Sequence, residues 1–568
     1  MTKTWWKESV IYQIYPRSFQ DSNGDGIGDL QGIIQRLDYL KLLGVDILWL
    51  SPIFKSPNDD NGYDVSDYKD IMDEFGTLAD FDELLTGVHE RGMKLILDLV
   101  PNHSSDEHFW FQEARKSKDG PYRDYYYWSE APKTNWQSFF SGSTWEFDEV
   151  AEAYYLHLFS KKQPDLNWEN PKLREEIHNI MRFWFDRGID GFRIDVIPFI
   201  SKRLDWPDSD PNNFDQAVLE IYANGPRLHE FLHEMYQEVW SHYDIVTVGE
   251  GIGVKPENSL EYIEESRQEL NMLYHFDHVT INYGPGGKYD PVDWKLSTFK
   301  RIFLDWDRAI KDKGWINIVL DNHDFPRMVS RYGNDGEYRK PSAKLLATLL
   351  LTLRGTPCLY QGSEIGMINV AFDTLEEYDD VEVVNLVREW EKDGKDTARL
   401  LKAVQQQGRD NARTPMQWSN APHAGFTSGM PWLKLNPSYT EINVKEALED
   451  SSSIFYYYKE LLAYRRANPT LIYGDFELLA PESEQLFAYR RWDTNHEFLV
   501  LLNFSATPLL IEGLVEWDLF QLIKSMNKTE KRYFKQFAHK KGNDYLLVFD
   551  EISKMDTYDE TLILKKFR

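Results

Sequence analysis

The chain has 568 residues, 42% hydrophobic and 28% charged, with a formal charge of −29, a profile that suits a globular protein too large for one core. So acidic a balance argues against nucleic acid and anionic membrane surfaces as partners. Aromatics reach 15%, with 19 Trp, 32 Tyr and 32 Phe, a supply of flat faces that suits sugar rings as well as core packing.

The opening "MTKTWWKESVIYQIYP" carries no apolar run of signal-peptide or membrane-span length, and no later stretch reaches that length. Cys358 is the only cysteine, so no internal disulfide forms and a reducing, cytoplasmic setting is expected. In "TPCLYQG" it reads as a small buried thiol.

Eight short apolar runs follow in chain order: "SVIYQIYP", "DILWLSP", "KLILDLVPNH", "GFRIDVI", "DIVTVGE", "LYHFDH", "INIVLDNHD" and "TPCLYQGSE". Amphipathic stretches such as "LQGIIQRLDYLKLLG", "LREEIHNIMRFWFDRG" and "SAKLLATLLLTLRG" lie between them. That alternation predicts an α/β fold, a (β/α)8 TIM barrel, with its active site at the C-terminal ends of the strands. Most of the runs end in polar or ionisable residues: Asn102 and His103, Asp195, Glu250, Asp277, His323 and Asp324.

The segment after the third run is far longer than an ordinary connection of roughly 2–6 residues and is rich in aromatics, so residues 105–171 read as a small inserted domain. The barrel then comprises 1–104 and 172–475, with a second insertion at 365–450. From 476 to 568 short alternating runs such as "EQLFAYRRW", "EFLVLLNFS" and "DYLLVFD" predict a C-terminal antiparallel β-sandwich domain.

Early in the chain, "DSNGDGIGDL" places Asp21, Asn23 and Asp25 at alternate positions with Gly26 at the turn and Ile27 offering a carbonyl, which matches a calcium loop. Gly32 stands where the EF-hand pattern wants its twelfth-position Glu, which speaks against a calcium sensor. Asp21, Asn23, Asp25, Ile27 and Asp29 are candidate ligands for one hard cation, and the alternative is a turn with solvated acids.

Three carboxylates fall at strand tips: Asp195, Glu250 and Asp324. Two suffice for glycosidic hydrolysis, one as nucleophile and one as acid/base, and a third can stabilise an oxocarbenium-like transition state. Any one alone is as readily a solvated strand end or a helix cap; three at neighbouring mouths are not.

"DLVPNH", "GFRIDVI", "VGE" and "DNHD" resemble, in order, the four signature regions of the α-amylase family, glycoside hydrolase family 13, and the resemblance spans nearly the whole chain. It implies Asp195 as nucleophile, Glu250 as acid/base and Asp324 as stabiliser, with Arg193 holding Asp195 ionised. It further implies His103 and His323 on sugar hydroxyls, Tyr63 stacked on the ring, and Asp64 with Arg409 as a charged pair closing the pocket behind the non-reducing end. "QPDLNW" and "DSNGDGIGDL" narrow the likeness to oligo-1,6-glucosidases, dextran glucosidases, α-glucosidases and sucrose isomerases, some of which hold structural calcium in that loop. Phe159 and Gln163 then either face substrate or pack within the inserted domain.

Val196, after the nucleophile, is similar to the α-1,6-acting members, while alanine or threonine goes with α-1,4 preference; one side chain biases specificity by roughly 1–3 kcal/mol. Two departures from the pattern stand out. Gly251 follows Glu250 where relatives carry something larger, and "NYGPGGKYD" replaces the arginine-rich stretch of sucrose isomerases. The expected activity is that of a retaining exo-α-1,6-glucosidase on isomaltose and short isomalto-oligosaccharides. An α-1,4-glucosidase, a sucrose isomerase and a non-catalytic family member are the alternatives.

Overall fold

A computed structural model of the chain describes residues 3–507, 509–511, 538–541, 544–547 and 561–567. All eight apolar runs form parallel strands: β1 Ile11–Ile14, β2 Ile47–Leu50, β3 Lys94–Leu99, β4 Gly191–Ile194, β5 Val246–Gly251, β6 Met272–His275, β7 Asn317–Val319 and β8 Thr356–Tyr360. They pair in the order β6-β5-β4-β3-β2-β1-β8-β7. A parallel bridge from Leu273 to Ile316 joins the two ends and closes the barrel.

The strands read as continuous apolar runs because both faces are buried, as in any parallel sheet wrapped in helices. Alternate residues still part company. Ile11, Ile47, Trp49, Ile96, Val248, Met272, Val319 and Cys358 form one cluster in the lumen. Tyr12, Leu48, Leu95, Leu97, Phe192, Leu273 and Leu359 belong to the larger core against the helices. Cys358 is buried as expected. Gly191 opens β4 at φ +158°, where a Cβ would sit 2.1 Å from the Val246 carbonyl oxygen. Only glycine permits that approach of β4 to β5.

Helix Pro171–Arg187 shows how the outer layer is punctuated. Asn170 caps it by accepting from the Lys172 amide, proline starts it, and Gly188 ends it in the left-handed region. Leu173, Ile177, Ile180, Met181 and Trp184 form its buried stripe. Helix Arg339–Thr352 is instead buried from Ser342 to its end, because the C-terminal region covers its outer side. Thr352 meets the Tyr489 hydroxyl, and Arg491 donates to the Thr352 carbonyl. Lys300 reinforces that seam by donating to the carbonyls of Ala480, Ser483 and Leu486 at 2.7, 2.7 and 3.0 Å.

Between β3 and helix Pro171–Arg187 lies a three-stranded antiparallel sheet of Trp128–Ser129, Trp145–Asp148 and Ala153–Leu156. After the barrel come antiparallel sheets of four and three strands. Of the run "DYLLVFD", Asp544–Leu547 is a strand and the rest lies outside the described residues, as does much of 512–560. Among the described residues no helix is long and apolar enough to cross a membrane.

Candidate active site

Strand register builds the floor of the site. Asp98 on β3 and Val248 on β5 lie level with Arg193 on β4, while Glu250 lies level with Tyr274 on β6. Arg193, fully buried, reaches from the lower layer to the upper one. Its guanidinium lies 2.7 Å from each of Asp98, Asp195 and Glu250, and donates to the Tyr274 hydroxyl at 2.9 Å. Five donors on a planar fork serve four acceptors, a task lysine's point charge does not match. The Tyr63 and Trp49 side chains also donate to Asp98.

Burial raises the pKa of Asp195; Arg193 opposes it, and the neighbouring Glu250 and Asp98 carboxylates push it up again, so the net shift is upward. The Asp195 and Glu250 carboxyls are close enough for a side-chain hydrogen bond to be among the causes of that shift. Burial likewise pushes Asp98 up to about 6 against the pull of Arg193. Val196 turns the chain out of β4 at φ +33°, ψ +41°, a left-handed conformation that costs a β-branched residue about 1–3 kcal/mol. That turn points its backbone N–H at Glu250 Oε2, 2.9 Å away.

The opposite rim comes from β7 and the second insertion. His323 stacks parallel to Tyr63 with ring centroids 5.2 Å apart. Its Nδ1 faces Gln13 Nε2 at 2.8 Å, and an amide N–H only donates, so the ring proton belongs on Nε2, 3.1 Å from Asp324. Burial lowers the His323 pKa to about 3, which keeps the ring neutral. Burial would raise Asp324, yet His323, Arg409, Arg413 and Arg193 outweigh it and hold this carboxyl well below the usual range.

Arg409 is the hub of the rim. It grips Asp380 with Nε at 3.0 and 2.9 Å, meets Asp60 at 3.0 Å and lies 3.4 Å from Asp324. Its partner is therefore Asp60, and the expected pairing with Asp64 is corrected. Asp64 is fully buried beneath the loop, accepting from Ser56 and from the amides of Asp59 and Asp60. Positive φ at Asn58, Asn61 and Gly62 reverses the chain so that Asp60 points inward and Asp64 holds the turn.

From the inserted domain, Phe159 lines the cavity while Gln163 does not. Gln163 is buried, with Nε2 3.1 Å from Asp60 and 3.2 Å from His103 Nε2, so it braces both. Lys202 does similar work unannounced by any motif: its Nζ lies 2.6 Å from Asn102 Oδ1 and 2.7 Å from Asp165, tying inserted domain to barrel beside His103. Asp195, Glu250, Asp324, Tyr63, His103, Val196 and Arg409 all line one cavity of about 1250 Å³, which His323 and Arg193 support from behind. Of the buried Asp60–Arg409–Asp380 cluster, Asp60 and Arg409 line this cavity beside Asp324, and Asp380 lies behind Arg409.

The glycine loop follows β1, as expected. Asp21 accepts from the amides of Asn23, Gly24 and Gly26, Asn23 from Asp25, and Asp25 from Ile27, while Asp29 caps helix Leu30–Gln35. Every offered donor is an oxygen, which suits a hard cation. Among the described residues no three acids, histidines or cysteines gather into a metal-holding group. A ligand set here would therefore have to draw on the Asn23 side chain or backbone carbonyls such as that of Ile27, as well as on carboxylates.

The α-amylase catalytic domain family matches residues 13–474. The chain is 54% identical over 517 residues to an oligo-1,6-glucosidase of Parageobacillus thermoglucosidasius, spanning 90% of this chain and 92% of that one. It is 52% identical to an oligo-1,6-glucosidase of Bacillus cereus, over 90% and 93%. Among solved structures, an isomaltulose synthase from Klebsiella sp. LX3 superposes with a TM-score of 0.88 at 43% identity, covering 90% of this chain and 93% of that one. A barrel whose neighbouring strands lift paired carboxyls around one buried arginine, matched along most of its length, has one home: the chain belongs to the α-amylase family of glycoside hydrolases.

Proposed function

We infer that the protein is an oligo-1,6-glucosidase, removing glucose from the non-reducing end of isomaltose and short isomalto-oligosaccharides. The observation that carries this reading is the buried Asp60–Arg409–Asp380 cluster in the wall of the cavity that Asp195 and Glu250 also line, which we read as its closed inner end. A terminal glucose fits there and an internal one does not. Identity above half to oligo-1,6-glucosidases, over nine-tenths of the chain, supports the bond type.

In this reading Asp195 attacks the anomeric carbon while Glu250, as general acid, gives a proton to the departing oxygen. Water, deprotonated by Glu250, then releases glucose from Asp195 with retention. Carboxyls within reach of each other leave no room for the water that inversion needs, since inverting pairs stand about 6.5–9.5 Å apart. Asp324 stays ionised and faces the charge that grows on the ring. His103 and the His323 Nε2–H are placed for ring hydroxyls, and Tyr63 for the ring face.

Glucose release from isomaltose and maltose, measured side by side, tests the assignment. Isomaltose cleaved and maltose spared is the expected result; the reverse keeps the trio and discards the inference from Val196. The likeness to isomaltulose synthase favours a second reading, sucrose isomerisation. Against it, the hairpin of Tyr283–Gly284 with Gly287–Pro291 at the mouth carries no arginine. Isomaltulose or trehalulose formed from sucrose would decide for it.

We also propose that Asp21, Asn23, Asp25, the Ile27 carbonyl and Asp29 hold one structural calcium ion. Saturating calcium at 100-fold over Kd stabilises a fold by about 2.7 kcal/mol. Scanning calorimetry with calcium and with EDTA should therefore differ by several degrees in Tm. Equal values would mean that the loop's own hydrogen bonds hold it.

A further inference from the structure

Beyond the catalytic carboxyls the cavity continues along a wall that no step above uses. Helix Val381–Lys392 presents Glu382, Leu386 and Trp390 to it, four residues apart and so on one face. Glu382 marks the inner end, 3.7 Å from Arg409 and 2.5 Å from Lys288. Trp390 lies two helical turns further out, about 12 Å along the axis, more than one sugar ring away from the closed end.

Trp390 is half-buried against the apolar cluster of Tyr289, Phe372 and Val383. Among the described residues its indole N–H has no hydrogen-bond partner. Lys395 lies 5.9 Å from the ring centroid. An aromatic of this kind is a large rigid face with a polar tip, the combination that meets both the C–H face and the hydroxyls of a sugar. The closed end fixes the direction of the chain. With the non-reducing glucose against Asp60 and Arg409, every further unit must leave past Glu250 and along an open wall.

We propose that Trp390 is the stacking platform of a distal leaving-group subsite, receiving a glucose ring at least two units beyond the cleaved bond in longer isomalto-oligosaccharides. The proposal rests on the α-1,6-glucosidase reading and adds a determinant of chain length to it. Leu386 fills the floor between the platform and Glu382, and Lys395 offers its ammonium to ring hydroxyls.

The test compares wild type, Trp390→Ala and Trp390→Phe on isomaltose, isomaltotriose and isomaltotetraose. In Trp390→Ala the ratio of KM for isomaltotetraose to KM for isomaltose should rise about three- to tenfold, with kcat little changed, and Trp390→Phe should restore most of it. A ratio that does not move, or KM values rising equally at every length, overturns the platform. Wild type inert on isomaltose would reject the bond assignment instead. The subsite is then read without turnover, by titrating Asp195→Asn protein with isomaltotetraose. Adding Trp390→Ala should weaken Kd by the same factor, and an unmoved Kd overturns the proposal.

Discussion

Asp195→Asn is expected to lower kcat/KM on isomaltose by at least about 10⁴-fold, the scale seen when a covalent nucleophile is removed from a preformed site. An amide oxygen cannot form the glycosyl ester, while Arg193, Glu250 and Asp324 keep their places. The same substitution should not destabilise the fold. Asp195 is buried beside Glu250 and Asp98, and its pKa is raised for that reason. A carboxyl whose folded pKa lies above its unfolded one favours the native state while protonated, and loses that contribution as pH rises above about 3.9. At pH 7 the charge is a liability to the fold, which asparagine removes. The expected Tm of Asp195→Asn at pH 7 is thus equal to or above that of wild type, measured by calorimetry alongside glucose release. Activity surviving in this variant would mean that another group attacks; a Tm several degrees lower would mean that the carboxylate is needed to hold Arg193.

The sequence announces this site unevenly, and the reasons are physical. Asp195, Glu250 and Asp324 are legible because each lies at or shortly after the C-terminal end of an apolar strand, where the barrel mouth opens. Asp98 had a signal too. A carboxylate inside "KLILDL" is costly without a partner, and strand register sets it against Arg193. What the sequence hides is set by turns and by long-range approach. Asp60 and Asp64 stand four residues apart in one polar loop, and only the positive-φ positions between them decide which faces the cavity. Asp380 and Lys202 come from segments without repeat or periodicity, and their roles exist only once distant pieces meet. Gln163 illustrates a middle case: its motif marked it, but its side chain braces Asp60 and His103 from behind instead of lining the cavity.

Arg409→Ala should damage both stability and catalysis. The guanidinium is buried and serves Asp60, Asp380 and Asp324 together, and removing one partner from a buried ion pair typically costs about 3–5 kcal/mol. The loss falls on different groups differently. Asp380 is held far below the usual range by Arg409, which outweighs its burial, so it would be left as the most stranded charge. Asp60 is already pushed up to about 6 by burial even with Arg409 beside it. In wild type Asp60 is ionised above that pH and takes up a proton below it, so kcat/KM should fall as pH drops through about 6. Without Arg409 the opposing pull is gone, and the same acid limb should move upward. At pH 7 the variant should lose about 10²–10³-fold in kcat/KM, from the 2–5 kcal/mol that truncating a buried charged partner costs. Asp60→Asn should reproduce most of the catalytic loss. Asp64→Asn, which reaches the rim only through the backbone amide of Asp60, should register mainly as a lower Tm. If Asp64→Asn instead matched Asp60→Asn in kcat/KM at an unchanged Tm, the closing pair would be the one its motif first suggested, and the inward turn at Asp60 would not be the working arrangement.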